Sequence, residues 1–252
     1  MSPLLMYALA DRPEASLPTQ PGLGGEPLLA IAYRDIAVVA SPVAATRVQA
    51  TEADLWAYEA VVEALMEDRA VLPWRFGSVL SDEEAARALL AAHYADFWAN
   101  LALVRRRVEL GLCVLWDPGE LATPPVLQPE RRAGGNGEAD SGRAYLMAKL
   151  ERELVCRERQ KEGAGLVQVL HGPLAMIAAR SQCKTLPTPG MLMTGVYLVD
   201  LDAVAGFKRQ VDALKSAHFD LEFLCTGPWP PYSFITASTG APAMEGMFDG
   251  TR

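Results

Sequence analysis

Near the C-terminus, Phe219, Leu221 and Phe223 alternate with Asp220 and Glu222. A period of two is the mark of a strand with one buried face. Proline has no N–H for a sheet ladder, so this strand is expected to end near Thr226–Gly227, ahead of Pro228. Gly227 to Ile235 then reads Gly-Pro-Trp-Pro-Pro-Tyr-Ser-Phe-Ile. Fixed φ at Pro228, Pro230 and Pro231 stiffens the backbone from which Trp229 and Tyr232 project. Two readings follow: a rigid plug that closes a core with aromatic area, or aromatics presented for docking.

The rest of the chain alternates strand and helix patterns. Pro3–Ala10 is apolar and fits a first strand. A Pro/Gly-rich excursion runs from Arg12 to Pro27, with turn signals at Pro21-Gly22 and Gly24-Gly25. Leu28–Tyr33 and Asp35–Ser41 form either two paired strands or one bent strand. Thr51 is placed to cap a helix whose apolar face is Leu55, Tyr58, Val62, Leu65 and Met66. In Val71–Leu80, Pro73 fits a sheet edge or bend and Gly77 a tight turn. Arg75 stands between Trp74 and Phe76. It is either a structural arginine that pairs a carboxylate or carbonyls, or a contact to a partner. Ser81-Asp-Glu-Glu84 reads as a capping box, opening a helix with a seam of Leu90, Tyr94, Phe97, Leu101 and Val104. Arg105–Arg107 suits the helix end by charge. His93 is expected at a surface or boundary.

Val108–Trp116 is β-like. Ala122–Gly142 holds Pro124, Pro125, Pro129 and Gly134-Gly-Asn-Gly137, a composition too poor in apolar residues to order itself, and is read as a mobile insertion. Arg143–Glu162 carries dense mixed charge with Leu146, Leu150 and Leu154 on one stripe, so a solvated helix is expected. An apolar pattern resumes over Leu166–Ala179, with a break near Pro173. Met191–Val199 is strand-like, and Leu201–Ala217 predicts a helix with Val204, Phe207, Val211 and Leu214 inward. Ser238–Arg252 should fray. The fold class is therefore α+β in two modules: residues 1–104, and residues 105–238 with the insertion at about 122–142, followed by a tail at 239–252. The second module is similar to a modified ferredoxin-like fold with an enlarged helical crossover.

Composition narrows the function. Among 252 residues, 50% are hydrophobic and 21% charged, the balance of a soluble globular protein. A net charge of −8 argues against nucleic-acid binding. No apolar run reaches the roughly 20 residues that span a bilayer. Cys113, Cys156, Cys183 and Cys225 are far apart and fit buried free thiols in a reducing cytoplasm. His93, His171 and His218 lack metal-ligand company. No Gly-rich phosphate loop or Gly-x-Ser-x-Gly occurs. The carboxylates fall on helix starts and solvated faces instead of an apolar pocket that would tune their acidity. No enzyme, cofactor or metal is expected.

Leu224-Cys-Thr-Gly-Pro-Trp-Pro-Pro-Tyr-Ser-Phe234 resembles the C-terminal signature of the GvpL/GvpF family of gas vesicle proteins. Val71-Leu-Pro-Trp-Arg-Phe-Gly-Ser-Val-Leu80 is similar to that family's Pro–Arg–Phe–Gly block, and Gly142–Leu146 and Met193–Val199 follow in the family's order. Leu110 stands where the family commonly has tryptophan. The resemblance implies a cytoplasmic accessory or minor structural protein of gas vesicle assembly, associated with gas vesicles and their buoyancy. Its implied partners are the small hydrophobic shell-forming subunit and other accessory proteins. Trp74, Arg75, Phe76, Trp229 and Tyr232 are the candidate partner-binding residues. The rival reading is a ligand-binding regulatory protein built from ferredoxin-like modules.

Overall fold

A computed structural model of the chain describes residues 2–44, 51–116, 163–188 and 190–235, with positions 147, 150 and 161. The expected insertion at 122–142, the tail and nearly all of the Arg143–Glu162 helix lie outside these residues. The chain divides into two compact units: Met1–Leu110 with Leu198–Val204 and Thr226–Arg252, and Gly111–Tyr197 with Ala205–Cys225.

The first unit is built on a sheet ordered β2-β3-β1-β4, with β5 also paired to β1. These strands are β1 (Leu4–Asp11), β2 (Leu29–Tyr33), β3 (Ile36–Pro42), β4 (Val71–Pro73) and β5 (Val79–Leu80). All pairings among them are antiparallel, and β2 and β3 are two strands, joined at Tyr33↔Ile36. Every residue of β1 is buried, because both faces of the sheet are covered. Leu4, Met6 and Leu9 enter one core with Leu90, Phe97, Leu101 and Val104. Leu5, Tyr7, Ala8 and Ala10 enter the other with Tyr58, Val61, Val62 and Leu65. Strict alternation would put Leu9 with Leu5. A register shift against β3 between Met6 and Ala8 leaves Tyr7 as an extra residue and reverses the phase.

That irregularity is held by side chains. The Leu23 amide donates to the Tyr7 hydroxyl at 2.6 Å, and Ser41 Oγ lies 2.9 Å from the same oxygen. From helix α1 (Glu52–Met66), the Tyr58 hydroxyl donates to the Trp74 carbonyl at 2.7 Å, with the Tyr7 carbonyl at 2.9 Å also in reach. Thr51 and Asp54 cap α1 reciprocally. Its inward face is Tyr58, Val61, Val62 and Leu65; Leu55, assigned to that face from spacing, is 42% exposed.

The helix after β5 is two helices, α2 (Glu83–Ala92) and α3 (Tyr94–Val104), because His93 leaves helical geometry at φ −121°, ψ 20°. The cap of α2 is Asp82, which accepts from the Ala85 amide at 2.8 Å, one residue later than the expected Ser81 box. The seam nonetheless stays buried at Leu90, Phe97, Leu101 and Val104. The arginine run sits at the end of α3 as expected, with Arg105 as its C-cap and Arg107 donating to the Leu103 carbonyl at 2.6 Å, and each arginine also pairs a carboxylate. Arg105 pairs Asp11 at 2.9 Å, Arg106 pairs Asp202 at 3.1 Å, and Arg107 pairs Asp200 at 2.8 Å.

A second sheet is ordered β7-β8-β6-β9, from β6 (Arg107–Trp116), β7 (Arg180–Thr188), β8 (Met191–Asp200) and β9 (Leu221–Trp229). Helix α4, described over 163–175, buries Val167, Leu170 and Leu174, and α5 (Val204–Ala217) buries Phe207, Val211 and Leu214. Three expectations fail here, and one strand was not assigned from sequence. Residue 173 lies within α4 and does not break it. Arg180–Thr188 is a strand that its polar sequence conceals; as an edge strand it tolerates Pro187. By the same rule β9, the other edge, continues through Pro228 to Trp229. Phe219 precedes β9 and is 94% exposed. Cys113, Cys183 and Cys225 are free, as expected, but only half-buried. Among the described residues no helix is long and apolar enough to cross a membrane.

Candidate functional site

The C-terminal segment is tied down residue by residue within the first unit. Gly227 adopts φ +101°, and a Cβ there would meet the Glu109 carbonyl oxygen at 2.7 Å. The Gly227–Pro228 bond is cis. Pro230 and Pro231 are buried, and Tyr232–Phe234 forms a short 3₁₀ turn. Phe234 is buried, and Ile235 packs on the core that holds Leu90 and Phe97. Trp229 stays 44% exposed. The plug reading fits Pro230, Pro231 and Phe234, which are buried, while Trp229 is exposed to solvent.

Two carboxylates hold the turn. The Tyr232 hydroxyl donates to Glu59 Oε1 at 2.6 Å. The Ser233 amide and hydroxyl donate to the two oxygens of Glu109, at 2.8 and 2.7 Å. Glu109 is only 8% exposed, so the expectation that every carboxylate would be solvated fails. Burial raises the pKa of both groups above the ordinary glutamate range, and the bonds from Ser233 and Tyr232 partly oppose that rise. Burial also pushes the Tyr232 phenol far up, with Glu59 beside it adding to the shift, so it remains a donor.

A raised carboxyl pKa means that the folded chain binds protons more readily than the unfolded one. The stability linked to Glu109 is therefore complete below the ordinary glutamate pKa of about 4.3 and is lost as pH rises through the folded value. Glu109→Gln removes that titration. Its amide can still accept from the Ser233 N–H and can donate to Ser233 Oγ. The melting temperature of Glu109→Gln, relative to wild type, should rise as pH goes from about 4 to about 7. A difference that stays constant with pH would show that Glu109 is not desolvated.

Trp74, Arg75 and Phe76 follow β4. The Trp74 ring meets Phe97 edge-on at 6.1 Å in one core, and Phe76 meets Tyr58 edge-on at 5.3 Å in the other. Arg75 lies exposed between them, with no carboxylate partner among the described residues. The Ser78 amide donates to the Arg75 carbonyl at 3.1 Å, and Gly77 takes φ +82° in that turn. Helix α1 touches both blocks through adjacent residues, Tyr58 at the Trp74 carbonyl and Glu59 at the Tyr232 hydroxyl. Glu59 and Glu109 were missed from sequence. Glu109 left one signal, a carboxylate inside an apolar run, whereas Glu59 looked like any solvated helix position.

A pocket of about 30 Å³, lined by residues including Arg69, Val104, Arg107 and Pro231, has room for one or two waters. Metabolite sites are an order of magnitude larger, at roughly 300–1,000 Å³. Among the described residues no group of three His, Cys, Asp or Glu side chains is placed to hold a metal.

A family model described as "Gas vesicle synthesis protein GvpL/GvpF" matches residues 3–236. Gas vesicle protein L of a Streptomyces species is 30% identical over 232 residues, covering 84% of this chain and 85% of that protein. Gas vesicle protein F of the same organism is 27% identical over 241 residues, covering 91% and 98%. The crystal structure of gas vesicle protein GvpF from Anabaena sp. PCC7120 superposes with a TM-score of 0.73 at 19% identity, covering 95% of this chain and 98% of that one. The last of these shows the fold.

Proposed function

We infer that this chain, which belongs to the GvpL/GvpF family of gas vesicle synthesis proteins, is a non-enzymatic accessory of gas vesicle assembly. It binds the small hydrophobic shell-forming subunit, with other accessory proteins as further partners, and helps the shell to nucleate or grow in the cytoplasm. The carrying observation is the family match from residue 3 to 236, which spans the chain and not one shared module. A physical need supports the role, because a shell subunit that exposes apolar surface before assembly requires a soluble partner to cover it.

Trp229 and Arg75 are the side chains we assign to the partner, both exposed and both set in stiff or turn-bound backbone. Trp74, Phe76 and Tyr232 hold them in place. For the second module we keep the modified ferredoxin-like assignment. Its support is the element order strand, helix, strand, strand, helix, strand over β6, α4, β7, β8, α5 and β9.

The test pairs melting by circular dichroism with co-purification of the shell subunit. Trp229→Ala and Arg75→Ala should lose binding by about tenfold with melting unchanged. Tyr232→Ala should lower melting first, because it leaves Glu59 without its donor. If binding by the first two variants follows only their folded fraction, the docking role is wrong.

A further inference from the structure

The outward face of α1 combines one exposed tryptophan with several carboxylates and no cation. Its buried stripe is Tyr58, Val61, Val62 and Leu65. At 3.6 residues per turn, Trp56 lies on the opposite side, and its indole is 67% exposed. Glu52 and Ala60 stand four residues to either side of it, and Ala53, Ala57, Glu63 and Glu67 complete the exposed face. From Glu52 to Asp68 there is no lysine, arginine or histidine. Of the acids, Glu52 accepts from the Trp56 indole N–H at 3.5 Å, Asp54 serves the cap, Glu59 accepts from Tyr232 and Asp68 pairs Arg69. Glu63 and Glu67 have no cationic partner among the described residues.

We propose that this face seats an amphipathic helix of a partner protein whose apolar stripe is flanked by lysine or arginine. The large indole supplies the anchor, since exposed tryptophan at the centre of a contact is the residue type that most often dominates binding. The alanines beside it let a second helix backbone approach to packing distance. The unpaired carboxylates select the sign of the flanking charge and steer encounter. The same charge disfavours an anionic membrane or a nucleic acid. A second copy of this chain is disfavoured by its own net charge of −8. This surface is separate from the assigned Trp229 and Arg75 contacts, and the proposal holds whether or not the shell subunit is the protein that brings the helix.

Fluorescence anisotropy of the full chain with two labelled peptides tests it. One has leucines at helical spacing with lysines between, and the other has glutamates in place of the lysines. The lysine peptide should bind at least about tenfold more tightly. Trp56→Ala should weaken it by about tenfold or more. Glu63→Lys with Glu67→Lys should do the same and admit the glutamate peptide. Asp220→Lys with Glu222→Lys, an equal charge change at exposed positions elsewhere, should leave binding unchanged. All of these positions are exposed, so melting serves as the folding control. Equal binding of both peptides, or equal loss in the two double variants, would overturn the proposal. So would self-association that Trp56→Ala abolishes without any lysine-peptide binding. Co-purification of the α1 variants with the shell subunit separates the two ideas. Retained shell-subunit binding beside lost peptide binding leaves both intact at different surfaces. Lysine-peptide binding without any shell-subunit binding refutes only the function proposed above.

Discussion

Gly227→Ala is expected to lower stability by about 2–4 kcal/mol. Two costs combine. At φ +101° the backbone sits where a Cβ is strained whatever the surrounding space. The added carbon would also lie 2.7 Å from the Glu109 carbonyl oxygen, with Trp229 Cδ1 at 3.1 Å and Leu110 Cδ2 at 3.2 Å. That oxygen belongs to β6, so it cannot swing aside as a flexible side chain would. A shift of β9 away from it would also strain the Ser233 bonds to the Glu109 carboxylate. Gly24→Ala separates the costs, because Gly24 has φ +68° and a Cβ there would meet nothing within 4 Å. Urea denaturation should therefore show a loss of about 1 kcal/mol at Gly24 and a larger one at Gly227. Equal losses would mean that β6 yields freely to the new methyl group.

How much of this was legible in the sequence depends on which force set each element. A short, nearly continuous apolar run was readable as a strand, as at Met191–Val199, and so was the inward face Phe207, Val211 and Leu214 of α5. The edge strand Arg180–Thr188 was not, because an edge needs no apolar alternation. The end of β9 was misplaced for the same reason: the proline rule excludes central strands, and β9 is an edge. The phase reversal in β1 left no trace in a segment that is apolar throughout. It depends on Tyr58 and Trp74, which lie dozens of residues away and meet Tyr7 only in the fold.

The candidate residues divide along the same line. Aromatic content marked Trp74, Phe76, Trp229 and Tyr232, yet it could not say which rings are buried. Trp74 and Phe76 pack against opposite cores, Tyr232 is half-buried on Glu59, and Trp229 remains exposed. Trp56 was passed over because a helix reading looks for the buried stripe, and a tryptophan opposite that stripe adds nothing to the periodicity. Exposure of an indole becomes informative only once the core has been accounted for by other residues.

Phe97→Ala should cost about 3–5 kcal/mol, and Leu101→Ala about 2–5 kcal/mol. Both lie on the seam that the sequence announced, and both are buried, at 3% and 0% exposure. The break at His93 does not spare them. It falls before Phe97, and α3 alone carries Phe97, Leu101 and Val104 onto the sheet. Phe97 meets Trp74 edge-on at 6.1 Å and His93 at 5.9 Å. Trp74 cannot relax into the space left by the ring. Its amide donates to the Tyr7 carbonyl at 2.8 Å, and its own carbonyl accepts from Tyr58 at 2.7 Å. A residue fixed at both backbone groups leaves the cavity open, which places Phe97→Ala toward the high end of its range. The measurement is the urea midpoint of each variant, followed by co-purification with the shell subunit at matched folded fraction. A midpoint equal to wild type would put the α3 face in solvent. A loss of binding beyond the loss of folded protein would move Phe97 from the core into the docking surface.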